Sequence, residues 1–193
     1  MLPMPDVPVN PTVVGIDPGT TMMGVCTIEF DPKTFDIFRV SPISFNGNKL
    51  NPSEWDTLAH GERHARLVAH GINLLRYLRE ENPSYVACES PFYNRLRPSA
   101  YGPLKEALCE IQLACTRYSP YTTLNLVDPP TVKKAIKAAG DAKKAGMLIA
   151  LGNLTELASK LDKPIEELDE HAIDAAAVAY WLFTKLKANL LSK

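Results

Sequence analysis

Residues 13–30 read VVGIDPGTTMMGVCTIEF, an apolar run broken early by one charged side chain, Asp17. Val13, Val14 and Ile16 are apolar and β-branched whichever way the chain is turned, the pattern of a strand buried on both faces. Pro18 and Gly19 signal a turn, and residues 23–30, MGVCTIEF, resume an extended pattern. Such a start commits the chain to a sheet covered on both sides. Asp17 at the end of the first strand either opens the turn or holds a metal ion.

The rest of the chain supplies that sheet and its covers. Residues 35–45, FDIFRVSPISF, read as the third strand of an antiparallel meander. Residues 53–81 read as one helix, with Ser53 as cap and Glu54 and Asp56 in the first turn. Trp55, Leu58, Ala59, Leu67, Ile72, Leu75 and Leu78 roughly follow helical spacing, against which Gly61 and Gly71 count. Residues 84–90, SYVACES, read as a strand that also ends in a carboxylate, Glu89. A helix over 99–117 carries Leu104, Leu108, Ile111 and Leu113, and TTLNLVDPP after it holds a fifth strand. Two helices follow over 131–139 and 141–158, broken near Gly140, and an alanine-rich helix closes the chain over 171–186. This order predicts an α/β fold: a mixed five-stranded sheet, its first three strands antiparallel, flanked by helices. A chain of 193 residues suits one domain over 12–193, preceded by a proline-bearing irregular arm over 1–11.

Composition narrows the class. Hydrophobic residues make up 46% of the chain, enough for a sizeable core. The net charge of −1 hides a division: residues 131–147 hold five lysines against one aspartate, and residues 160–174 hold six carboxylates against two lysines. A basic segment followed by an acidic one suits a protein that grips polyanions and chelates cations; a solvated helix face is the plainer reading of either alone. Cys26, Cys88, Cys109 and Cys115 form no CxxC pair, which argues against a zinc site or disulfide framework and fits a reducing cytoplasm. No apolar stretch is long enough to span a membrane.

Asp17 and Glu89 fall at the carboxyl ends of strands, where open α/β sheets place their sites. His171 and Asp174 lie three apart and share a helix face where it turns from acidic to apolar. Singly each has an ordinary explanation, as turn residue, strand-end acid or helix acid. Together the four suit two divalent cations, Mg²⁺ or Mn²⁺, set ~3.5–4 Å apart for phosphodiester hydrolysis.

At this point GIDPGTTMMGV, ESPF, VKKAIKAAGDAKKAGM and HAIDAAAVA resemble, in order, the motifs of RuvC-type Holliday junction resolvases of the ribonuclease H-like superfamily. The resemblance implies a structure-specific endonuclease that resolves Holliday junctions or other branched DNA. It implies Asp17, Glu89, His171 and Asp174 as metal ligands, with His171 where an aspartate is often found and able to serve as ligand or base. It implies Lys144 as a catalytic cation and Lys133, with Lys134 and Lys143 beside the two, as DNA contacts. The aromatic at the junction maps to Phe92, with Tyr93 next to it and Arg95 and Arg97 aimed at phosphates. A homodimer is implied too, cutting two strands symmetrically, in a bacterial cytoplasm or the host of a bacteriophage. Residues 30–60 and the loop after Glu89 differ from the cellular enzymes, which suggests a phage or divergent member. The competing reading is an ATP-binding module of the actin-like type, whose first phosphate loop GIDPGTT also resembles; a non-catalytic DNA binder is a third.

Overall fold

The computed structural model describes residues 10–91 and 98–191. Thr12–Asp17 forms β1, Met22–Phe30 β2 and Ile37–Asn46 β3, each antiparallel to the one before. Tyr85–Glu89 forms β4, parallel to β1, and Leu124–Val127 forms β5, parallel to β4. The order across the sheet is β3-β2-β1-β4-β5, the mixed sheet that the sequence predicts. Helices α1 (Glu54–His60), α2 (Glu62–Glu81) and α3 (Tyr101–Tyr118) precede or flank β4. Helices α4 (Pro129–Ala135), α5 (Lys144–Gly152), α6 (Thr155–Ala158) and α7 (Glu170–Leu191) follow β5. Among the described residues no helix is long and apolar enough to cross a membrane.

β1 lies mid-sheet, and its pleat divides the core. Val14 and Ile16 join Leu74 and Leu78 of α2 and Leu108 and Ile111 of α3 on one face. Val13 joins Val178, Leu182 and Phe183 of α7 on the other. Each of these β1 side chains is fully buried, as a strand covered on both sides requires.

α7 lies against β1 and β2 at unusually short range. A Cβ on Gly15 would overlap the backbone nitrogen of Ala179 and the carbonyl of Ala175. A Cβ on Gly24, directly opposite Asp17 in the β1–β2 pairing, would overlap the carbonyl of His171. Two glycines facing an alanine run thus let helix backbone rest on strand backbone.

Three expected elements differ. The helix expected over 53–81 is two helices, because Gly61 takes φ +85°, a conformation open to glycine, and its N–H closes α1 on the Thr57 carbonyl. α1 buries nothing: Trp55 is 82% and Leu58 72% exposed, so the apolar spacing read there does not face the core. The helix expected over 131–139 ends at Ala135, because Lys137 turns left-handed and Ala138 N–H bonds back to the Lys133 carbonyl in a Schellman-type closure. The helix expected over 141–158 is likewise divided, into α5 and α6.

The substitution Gly15→Ala is expected to destabilise the protein by about 3 kcal/mol in urea unfolding, the upper end for an overpacked core. Gly61→Ala, with open space around its Cβ but a positive φ, should cost about 1 kcal/mol. Equal losses at the two positions would contradict the close seating of α7.

Candidate active site

Pleating aims the first two acids. Val13 and Gly15 face α7, so Asp17 does as well. On β4, Val86 and Cys88 face α2 and α3 while Ala87 faces α7, which sends Glu89 to the same side as Asp17. Ile16 pairs with Cys88 across parallel strands, so the two acids follow on neighbouring chains at one end of the sheet. α7, seated on Gly15 and Gly24, brings His171 and Asp174 over them. The cap of α7 is Asp169, whose carboxylate accepts from Ala172 N–H at 2.9 Å and from the Ser44 hydroxyl at 2.6 Å. That cap ties the first turn of α7 to β3.

His171 Nδ1 and Asp17 Oδ2 are 2.7 Å apart. The Asp17 carboxylate holds the imidazole proton and raises His171 above its ordinary value, with burial opposing. Burial raises Asp17 in turn, only partly offset by His171. Burial first, then the charges of Asp17 and Asp174, lift Glu89 to about 8. Burial and Asp17 lift Asp174 to about 6, with His171, Lys133 and Lys144 opposing. Mutual repulsion thus joins Asp17, Glu89 and Asp174 into one electrostatic unit.

The basic segment meets this unit. Lys133, Lys143 and Lys144 line a cleft of about 190 Å³ together with Glu89 and Asp174. Their roles differ. Lys133 Nζ donates to the carbonyls of Gly140 and Ala142 at 3.1 and 2.9 Å, tying the 140–142 loop to α4. Lys144 pairs with Glu170, whose other oxygen lies 3.9 Å from His171 Nε2. Lys143 and Lys134 are exposed, Lys143 at the start of α5 and Lys134 in the last turn of α4. Phe92, Tyr93, Arg95 and Arg97 lie outside the described residues.

The donor chemistry fits a hard divalent cation: buried carboxylate oxygens whose like charges a cation would relieve. Among the described residues no three such groups already converge on one point at ligating distance. His171 engages only Oδ2 of Asp17, so the other carboxylate oxygen remains for an ion. Sequence reasoning missed Glu170 and Asp169, which an acidic run conceals among equals, and Gly15 and Gly24. The signal for the glycines was present, as glycine inside strands opposite an alanine-rich helix.

No family model matches the chain. It is 30% identical over 173 residues to the crossover junction endodeoxyribonuclease RuvC of Desulfitobacterium hafniense, a span covering 83% of this chain and 88% of the relative. It is 29% identical over 167 residues to RuvC of Streptomyces griseus, covering 86% of this chain and 72% of the relative. Thermus thermophilus RuvC, solved in complex with a Holliday junction substrate, superposes with a TM-score of 0.64 over 92% of this chain and 96% of that one. At 22% identity that likeness establishes the ribonuclease H-like fold.

A carboxyl that holds its proton more tightly folded than unfolded stabilises the folded state at low pH. For Glu89 that contribution is complete below its ordinary value of 4.5 and gone once pH passes about 8. The urea midpoint of the wild-type protein in EDTA should therefore fall between pH 5.5 and 8.5. Glu89→Gln should flatten that fall, and excess Mg²⁺ should raise the wild-type midpoint at pH 8.5. A Glu89→Gln curve that tracks wild type across the range would refute the coupling.

Proposed function

The chain belongs to the RuvC family of crossover junction endodeoxyribonucleases, and from that premise we propose that it cuts four-way DNA junctions at the cleft between β1, β4 and α7. One observation carries the assignment to this cleft. Asp17 and Glu89, on adjacent parallel strands, face a helix turn bearing His171 and Asp174. In this reading Asp17, Glu89 and Asp174 hold two divalent cations, Mg²⁺ or Mn²⁺. Bound there, such ions lower the pKa of a water and neutralise charge on the attacking and leaving oxygens of a phosphodiester.

The chain's own groups do the rest. Asp17, most deeply buried and nearest the middle of the sheet, would anchor the ions against the sheet. With its Nδ1 proton held by the Asp17 carboxylate, a neutral His171 has Nε2 free to accept the proton of the attacking water. Lys144 exchanges Glu170 for a phosphate oxygen of the DNA and stabilises the extra negative charge of the transition state. Lys143 adds attraction for the backbone, and Lys133 shapes the loop that presents both. A homodimer with two-fold symmetry sets two such clefts against the two strands to be cut.

The test is cleavage of a synthetic four-way junction in Mg²⁺, read on denaturing gels. Asp17→Asn and Asp174→Asn are expected to lose on the order of a hundred- to a thousandfold in rate while still binding the junction in Ca²⁺. Lys144→Ala should lose on the order of tenfold to a hundredfold, with weaker binding. Cleavage at the wild-type rate by Asp17→Asn would remove the basis of the assignment.

A further inference from the structure

α1 turns two large apolar side chains to solvent. Trp55 and Leu58, three apart on the helix, are the two most exposed large hydrophobic residues among those described. Beside them, between the 49–56 segment and α2, lies a hollow of about 500 Å³. Ala65, Val68, Ala69 and Ile72 floor it at the spacing i, i+3, i+4, i+7, the stripe of a helix on which another helix packs. The short side chains of Ala65 and Ala69 give it depth, and Ile72 is 51% exposed. Lys49 and Arg76 line it against one acid, Asp56, and neither cation has an ion-pair partner among the described residues. No residue lines both this hollow and the cleft at Glu89 and Asp174.

We propose that the hollow receives Trp55 and Leu58 of a second copy of this chain, each copy filling the other's hollow about a two-fold axis. The proposal gives the homodimer of the nuclease reading a surface, and rests on that reading for its purpose. Knob and hollow lie side by side, as an isologous contact requires, because one patch must then complement itself. Apolar anchors at i and i+3 are how a helix seats in a groove, and Trp55 and Leu58 have that spacing. The charges agree as well. Glu54, next to Trp55 in the acidic first turn of α1, has no ion-pair partner among the described residues, and the hollow it would enter offers Lys49 and Arg76. The area suffices too. Two indoles bring on the order of 300–500 Å² and cover a similar area of wall, so with Leu58 the exchange reaches the roughly 1,000 Å² of a specific interface.

The contact also lies where paired cutting needs it. The last residue of β3, Asn46, pairs with Met22 just beyond the turn that follows Asp17, so the chain leaves for α1 at the cleft end of the sheet. The rim of the hollow is tied to that turn. Gly47 N–H donates to the Thr21 carbonyl at 2.7 Å, and a Cβ on Gly47 would overlap the buried imidazole of His70 on α2. An exchange through α1 therefore brings the cleft ends of both sheets close to the axis and braces the segment behind the Asp17 turn.

Sedimentation of the full chain without DNA tests this, with tryptophan emission as a second reading. Wild type is expected to sediment as a dimer at micromolar concentration. Its emission should shift blue on association, since Trp55 leaves water while Trp181 is already half-buried. Trp55→Ala removes the knob and Ile72→Asp blocks the hollow; both positions are exposed, so both variants should keep the wild-type circular dichroism and urea midpoint. Each should raise the dimer dissociation constant by about thirtyfold or more. Mixing the two variants restores one of the two exchanged contacts, so the mixture should dimerise more tightly than either alone. The wild-type emission shift depends on neither variant. A monomeric wild type, an unshifted emission, folded variants that dimerise like wild type, or a mixture no tighter than its components each overturns the proposal. So does a monomer whose emission shifts only on adding junction DNA or an apolar peptide, which assigns the hollow to that ligand. Junction cleavage by wild type reports separately. A dimer that meets these expectations and leaves the junction uncut overturns the nuclease reading and keeps the contact, whereas cutting by a protein that fails them overturns the contact alone.

Discussion

α7 rests on the sheet through backbone rather than side chains, and the site depends on that seating. Gly15 and Gly24 have no Cβ, and Ala175 and Ala179 have little more than one. The helix therefore approaches by roughly the depth of a side chain more than an ordinary helix–sheet packing would allow. Because Gly24 lies opposite Asp17, the contact with the His171 carbonyl sets the imidazole beside the carboxylate. A larger residue at either glycine would lift α7, and His171 and Asp174 with it. The cap at Asp169 works in the same sense, pinning the first turn of α7 to Ser44 on β3.

That precision is used to hold charges that oppose one another. Three carboxylates share a buried pocket in which burial raises each proton affinity, with Asp169 adding to it at Asp17 and the charge of Asp17 adding to it at Glu89 and Asp174. A fold under no other demand would disperse them. The surrounding cations offset only part of the excess: Lys133, which also donates to the 140–142 loop, lowers Glu89 and Asp174, and Lys144, paired with Glu170, lowers Asp174. In the proposed reading, divalent cations would relieve this repulsion and an anionic backbone would then bind against them. The family relationship gives this tension its purpose.

The acidic run over 160–174 illustrates how unequal such neighbours are. Asp162 accepts from the Ser41 hydroxyl at 2.5 Å where the 160–162 segment lies along the edge of β3. Asp169 caps a helix, Glu170 holds a lysine, and Asp174 faces the cleft. As a string these are six carboxylates of one kind. Their differences come from which side of a helix or which strand edge each happens to meet.

The amino-acid order alone carried the sheet and much of the site. Unbroken β-branched residues before Asp17 require cover on both faces, a lone acid at each of two strand ends marks the same edge, and His171 and Asp174 at helical spacing share a face. These are local facts of periodicity and chemistry, and the structure retains them. The division of 53–81 turned on the backbone angle of Gly61, and the outward turn of Trp55 and Leu58 on where α1 leaves the core; spacing records neither. Likewise the assignment of Lys133 to a loop, the pairing of Lys144 with Glu170, and the seating of α7 on two glycines arise between residues 7 to 164 positions apart in the chain. Periodicity reports what a segment must bury. Only the assembled chain decides which distant partner meets each charge, because that depends on the path of the backbone between them.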